Sequence, residues 1–251
     1  MQAFCDFDGT ISKQDVTDLV LERFALPEWH DLEAQWEAGE INSAECMRAQ
    51  IRLLQGQRQD IDQFLATVEI DPGFLAFRRF CIENGIRLTV VSDGVDYFIR
   101  RVLSHHGVDD IEVFANRMLR PAAEISSEFD LDHPFASAHC QTGSGVCKCN
   151  IIRAGDADHI YIGDGRSDFC VSSRAAKLIF AKSKLAVHCR DNRIPFIAYS
   201  DFHDITAALQ SLVTKAPVSL VTAQFGKTSA SKAQAAKAGS AVTTVPASKI
   251  A

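Results

Sequence analysis

No stretch of this chain is apolar over the length that a bilayer crossing requires, so nothing in it reads as a membrane span. Its first residues offer no basic region followed by an apolar stretch, so no leader is expected and the cytoplasm is the expected compartment. An excess of positive charge is missing too: 26 Lys and Arg stand against 32 Asp and Glu, a formal net charge of −6. That balance counts against nucleic acid or an anionic membrane surface as the main partner. The 8 cysteines include no CxxC pair. Their one close set, Cys140, Cys147 and Cys149 in CQTGSGVCKC, has a CxC spacing with no second pair to complete a zinc site. Reduced, mostly buried thiols are the expected state. No internal repeat is visible, and strand-like alternation is absent from residues 13–70.

What is present fits one sizeable core with a small insertion: 251 residues, 47% of them apolar. Gln2–Phe7 reads as a short apolar strand. Residues 13–70 read as a helical insert, with apolar residues at helical spacing over Asp15–Leu26, Trp29–Glu37, Ser43–Leu54 and Ile61–Val68. From residue 71 the pattern changes. Helices over Phe74–Asn84 and Tyr97–His106 alternate with β-branched runs at Ile86–Val91, Ile111–Asn116 and Ile160–Ile162. Shorter strands are expected at Leu178–Ala181 and Phe196–Tyr199, and a less buried hairpin segment at 123–130. Strands alternating with helices at this interval give βαβ units and a parallel sheet covered on both faces. Residues 1–12 and 71–213 are thus the expected α/β core, a Rossmann-like three-layer arrangement, and 214–226 a junction. Residues 227–251 are rich in Ala, Ser and Lys and hold no acidic side chain, so a disordered tail is expected there.

Three strands end in polar turns: CDFDGT, SDG and GDGRSD. In an open parallel sheet the ligand crevice lies beyond the carboxyl ends of the strands, so these turns are expected to meet. Asp6 and Asp8, two positions apart, would project to one side of a strand. Like charges that close repel unless a cation or proton lies between them. Together with Asp164 and Asp168 they form a hard oxygen set of the kind that suits Mg²⁺ and a substrate phosphate. Ser92 supplies a hydroxyl, and the amides around Asp93 and Gly94 are expected to open a helix, a ready anion site. Lys148, at the start of another helix, supplies a compact positive charge. Taken singly, each of these is an ordinary cap, turn or surface residue. Taken jointly they describe a phosphoryl pocket.

This order of motifs, DFDGT, a serine after a β-run, a lysine before a helix and GDGRSD, resembles that of the haloacid dehalogenase-type phosphatases. The insert after the first motif resembles the C1 cap of the phosphoserine phosphatase-like branch. Within that branch the SDGVDYF and GDGRSDF segments resemble those of the methionine-salvage phosphatases that act on a methylthio-sugar phosphate. The resemblance implies a Mg²⁺-dependent hydrolysis of a small phosphate ester. In it, Asp6 is the nucleophile that forms an aspartyl-phosphate, and Asp8 is the acid and then the base. Asp6, the Asp8 carbonyl, Asp164 and Asp168 would surround the metal, with Asp168 as ligand or as support for one. Ser92, Gly94 and Lys148 would hold the phosphoryl oxygens, and Thr10 would steady the first loop. In the branch's phosphoserine phosphatases, an acid nine positions after the nucleophile meets the substrate amine, and an arginine of the cap meets its carboxylate. Asp15 stands at the first position, while Arg48 and Arg52, one helical turn apart, are the cap candidates. A phosphoserine phosphatase, a phosphotransferase and a non-catalytic binding protein of the same fold remain the alternatives, and oligomeric state is left open.

Overall fold

The computed structural model describes residues 1–119, 129–140, 142–153, 159–174, 176 and 178–215. Seven described strands form one sheet: β1 (Gln2–Cys5), β2 (Arg87–Val95), β3 (Glu112–Leu119), β4 (Asp130–Asp132), β5 (His159–Gly163), β6 (Leu178–Ala181) and β7 (Ile197–Ala198). Their order is β4-β3-β2-β1-β5-β6-β7, parallel throughout except for β4, which runs antiparallel to β3. Helices α1 (Val16–Phe24), α2 (Trp29–Glu37), α3 (Ser43–Ile51) and α4 (Arg58–Leu65) follow β1 in the chain. The rest alternate with the strands: α5 (Phe74–Glu83), α6 (Asp96–His105), α7 (Lys148–Arg153), α8 (Phe169–Arg174), α9 (Ser183–Asp191) and α10 (Phe202–Lys215).

The strands read as unbroken apolar runs because both faces of the sheet are covered. Ala3 and Cys5 of β1, with Ile160 and Ile162 of β5, join a core lined by α5, α6 and α10. Phe4 and Tyr161, on the intervening positions, join a second core with α7, α8 and α9. This is the three-layer α/β arrangement expected.

Centrality of β1 positions the site. Cys5 is in register with Val90 of β2 on one side and Ile162 of β5 on the other. The turns that leave β1, β2 and β5 therefore start side by side at one sheet edge. Residues 13–70 leave and return at a single point there: Ser12 bridges Ile70, and the Asp71 amide donates to the Ile11 carbonyl at 2.8 Å.

Two expectations are corrected. β1 stops at Cys5, so strand alternation does not reach Asp6 and Asp8. β2 runs on through Ser92-Asp93-Gly94 with an irregularity between Val91 and Val95, so α6 opens at Asp96 and not around Gly94. The strand continues because β3 supplies a partner, with Val95 in register with Asn116. The hairpin segment at 123–130 falls outside the described residues except at its end, where Asp130 opens β4. The expected junction is described only as far as Lys215, where α10 ends, and the tail at 227–251 lies outside the described residues. Among the described residues no helix is long and apolar enough to cross a membrane.

Candidate active site

Asp6 comes directly off β1, its amide donating to the Ile162 carbonyl at 2.9 Å. The carboxylate then accepts the Phe7 amide at 2.7 Å and ion-pairs with Lys148 Nζ at 2.8 Å. Lys148 is the first residue of α7 and is buried. Its ammonium also reaches Asp168 at 2.7 Å and Ser167 Oγ at 2.9 Å, so three donor directions have three partners. Asp168 is fully buried and accepts the amides of Asp164 and Gly165 at 3.0 and 3.1 Å, as well as the Tyr161 hydroxyl. Asp164 accepts the Thr10 hydroxyl at 2.8 Å.

One carboxylate oxygen from each of Asp6, Asp164 and Asp168 lies within 4.8 Å of the other two. Burial and the neighbouring Asp168 push the Asp6 carboxyl well above the usual range, against the pull of Lys148. Asp164 is raised as well, first by burial. Burial acts against charge on Asp168 too, yet Lys148, Tyr161 and the Gly165 amide outweigh it and hold this carboxyl below its ordinary value. Burial works against charge on Lys148, but Asp168 and Asp6 outweigh it and raise the ammonium above its ordinary value. One lysine thus faces three crowded acids, and a hard divalent ion bound by oxygen fits the residual charge.

Asp8 lives in a different environment. Its carboxylate accepts the Val16 amide at 2.9 Å, at the start of α1, and the Ser92 hydroxyl at 3.3 Å. Burial and the charge of Asp15 raise it well above the usual range. The Gly94 amide donates to Ser92 Oγ at 3.0 Å, and a Cβ on Gly94 would meet the Asp8 carboxylate. Ser92, Gly94 and Asp8 are accordingly in mutual contact.

Asp93 is turned elsewhere. Its carboxylate accepts Ser43 Oγ at 2.9 Å and the Val146 amide at 3.0 Å, while Asn116 Nδ2 donates to its carbonyl at 2.6 Å. These bonds link β2 to the start of α3 and to the loop before α7. The cap arginines are engaged with one another's partner: Arg48 grips Asp130 with two bonds of 2.9 Å, and Arg52 does so at 3.0 and 3.1 Å. Neither arginine is directed at the carboxylate cluster in this arrangement. Asp15 caps α1, accepting the Asp18 amide at 3.1 Å, and is solvent-accessible while flanked by protein. Sequence reasoning passed over Tyr161, Ser167, Ser43 and Asn116. Only Ser167, inside GDGRSD, carried a signal. Tyr161 reads as one more apolar strand residue.

Residues 3–173 match the haloacid dehalogenase-like hydrolases. The chain belongs to that family. A 2-hydroxy-3-keto-5-methylthiopentenyl-1-phosphate phosphatase of Brevibacillus brevis is 34% identical over 216 residues, covering 83% of this chain and 95% of the relative. A phosphatase of the same name from Bacillus mycoides is 34% identical over 221 residues, 85% of this chain and 97% of its own. Among solved structures, a phospho-aspartyl intermediate analogue of phosphoserine phosphatase superposes with a TM-score of 0.58 at 17% identity, over 85% of this chain and 97% of that one. A HAD family hydrolase of Salmonella enterica reaches 0.61 at 19% identity, over 80% and 68%. These structures share the fold. With phosphatase relatives along most of its length, this haloacid dehalogenase-like hydrolase is a phosphoric monoester hydrolase.

Proposed function

We propose that the enzyme hydrolyses a small phosphorylated metabolite through an aspartyl-phosphate on Asp6, and that the metabolite is 2-hydroxy-3-keto-5-methylthiopentenyl-1-phosphate or a near analogue, in the cytoplasm. The observation that carries the chemistry is the separation of the two acids of DFDGT. Lys148 lies on Asp6 at 2.8 Å, whereas Asp8 is held apart by the Val16 amide and Ser92. With Lys148 and a divalent cation on the Asp6 side offsetting the burial and repulsion that raise Asp6, and no cation on the Asp8 carboxylate, an ionised nucleophile and a protonated acid would coexist two residues apart.

Asp6, Asp164 and Asp168, with the Asp8 carbonyl, would hold Mg²⁺; their all-oxygen donor set suits it. Such an ion would offset the charge of the crowded carboxylates and supply positive charge to a phosphoryl group. The protein's own residues do the rest. A carboxylate oxygen of Asp6 forms a bond to phosphorus as the ester bond breaks, and Asp8 gives its proton to the departing oxygen. Asp8, now ionised, takes a proton from water, whose oxygen attacks the aspartyl-phosphate and releases inorganic phosphate with Asp6 restored. Ser92, the Gly94 amide and Lys148, which now donate to Asp8, to Ser92 Oγ and to Asp6, Asp168 and Ser167, would turn a donor each to the phosphoryl oxygens, where charge accumulates.

The substrate reading is supported by relatives 34% identical along most of both chains. Phosphoserine is the weaker reading, because Arg48 and Arg52 both face Asp130 and not a substrate carboxylate. The deciding measurement is Mg²⁺-dependent phosphate release from the methylthiopentenyl phosphate and from phosphoserine in parallel. A kcat/KM at least about tenfold higher for the former is expected. Equal or faster turnover of phosphoserine would overturn the assignment.

A further inference from the structure

Two cysteines flank the Lys148–Asp168 pair in a way that the hydrolysis does not use. Cys149 follows Lys148 in α7, and Cys170 lies two residues beyond Asp168 in α8. Their Sγ atoms are 2.7 Å apart, although 21 positions separate them in sequence. A disulfide needs about 2.05 Å, so little further approach closes the bond. Cys149 is buried, while Cys170 is half-buried and can be reached from solvent. α7 and α8 pack on each other, so the pair is held together by the fold and not by chance encounter.

We propose that Cys149 and Cys170 are a site of reversible oxidation, taking a low-molecular-weight disulfide as oxidant. The Cys170 thiolate attacks one sulfur of the small disulfide, forming a mixed disulfide and releasing one small thiolate. The Cys149 thiolate then attacks the Cys170 sulfur, forming the protein disulfide and releasing the second. The two protons lost by the protein thiols end on the two small thiols, and the small disulfide is reduced by two electrons. Excess dithiol reverses both steps.

The bond would tie α7 to α8 directly beside the pair that aligns Asp6. Lys148 holds its three partners at 2.7 to 2.9 Å, with no slack to absorb a shift of either helix. Misplacement by about 1 Å can cost about 10²-fold in rate, so oxidation is expected to lower turnover. That consequence rests on the roles proposed for Lys148 and Asp168; formation of the bond does not.

The test incubates the whole protein with oxidised glutathione, maps disulfide-linked peptides by mass spectrometry, and assays phosphatase activity before and after oxidation and after dithiothreitol. A Cys149–Cys170 linked peptide, at least a tenfold fall in kcat, and full recovery on reduction are expected. Cys170→Ser is expected to match the reduced enzyme before oxidation and to resist the fall. Cys149→Ser, carrying no such bond either, gives a second resistant variant. Absence of the linked peptide overturns the site, as does exclusive linkage of Cys147 to its neighbour Cys140. A linked peptide with unchanged turnover keeps the site and overturns its effect on catalysis. Inactivity of the reduced wild-type enzyme would instead count against the function proposed above.

Discussion

Asp6 and Asp8 are separated by one residue yet share none of their hydrogen-bond partners. The backbone achieves this by leaving the strand at Cys5 and turning at once, with Gly9 at φ +68°. A side chain at Gly9 would face two obstacles. Its φ lies in the left-handed region, costing about 1–2 kcal/mol, and its Cβ would stand 2.6 Å from Asp164 Oδ2. Gly9→Ala is therefore expected to displace Asp164 and lower activity at least about tenfold, with a raised Mg²⁺ requirement measured by titrating the ion in the assay. Unchanged Mg²⁺ dependence would detach Gly9 from the proposed metal site. Asp6→Asn separates chemistry from stability. It keeps the shape and removes one of three crowded charges, so turnover should fall at least about 10³-fold. The melting temperature without added metal should be unchanged or higher. A stable variant that still hydrolyses an aryl phosphate would exclude Asp6 as nucleophile. The DFDGT motif is what led, in sequence, to the roles proposed for Asp6 and Asp8. It could not announce that Tyr161 would bond Asp168, since a tyrosine in an apolar strand gives no sign of which neighbour its hydroxyl meets.

Helix α3 ties residues 13–70 to the sheet at several points. Asn42 caps it with a full capping box to Glu45, Ser43 meets Asp93, and the Ala44 amide donates to Gly143 at 3.1 Å. Further along, Arg48 and Arg52 close on Asp130 of β4. Their spacing of one helical turn was visible in sequence, and it correctly puts them on one face. Their shared partner was not, because Asp130 is about eighty positions away on a three-residue strand with little pattern of its own. The two arginines hold the Asp130 carboxyl far below its ordinary value through hydrogen bonds and charge. A carboxyl depressed in the folded state stabilises fully above its unfolded value, about 3.9, and less as pH falls through the depressed range. Asp130→Asn should thus lower the urea midpoint by a constant, modest amount from pH 7 to about 5. The difference should shrink below about pH 4. A gap that persists at low pH would assign the loss to packing and not to the ion pairs.

Across the whole molecule, three turns separated by up to about 160 positions converge because β1 lies between β2 and β5. That convergence was legible from strand-end turns alone, since parallel βαβ connections leave all carboxyl ends on one edge. The helices after β6 were less so: α9 opens at Ser183 with φ 48° and no side-chain cap, so the usual start signals are missing. Convergence carries an electrostatic cost. Burial and mutual repulsion raise Asp6 and Asp164 together, and Lys148 offsets only part of this. A ligand that binds only the folded state stabilises it by mass action, about 2.7 kcal/mol at one hundred times its dissociation constant. For a domain of this size that amounts to a rise of roughly 5–10 °C in melting temperature. Mg²⁺ is therefore expected to raise the melting temperature of the wild-type protein, and chelation to reverse the rise. Asp164→Asn should lose most of the shift while melting no lower than the wild type in chelator, because it removes charge from the crowded site. An equal Mg²⁺ shift in both proteins would place the ion somewhere other than among these three carboxylates, and with it the charge balance on which the proposed chemistry depends.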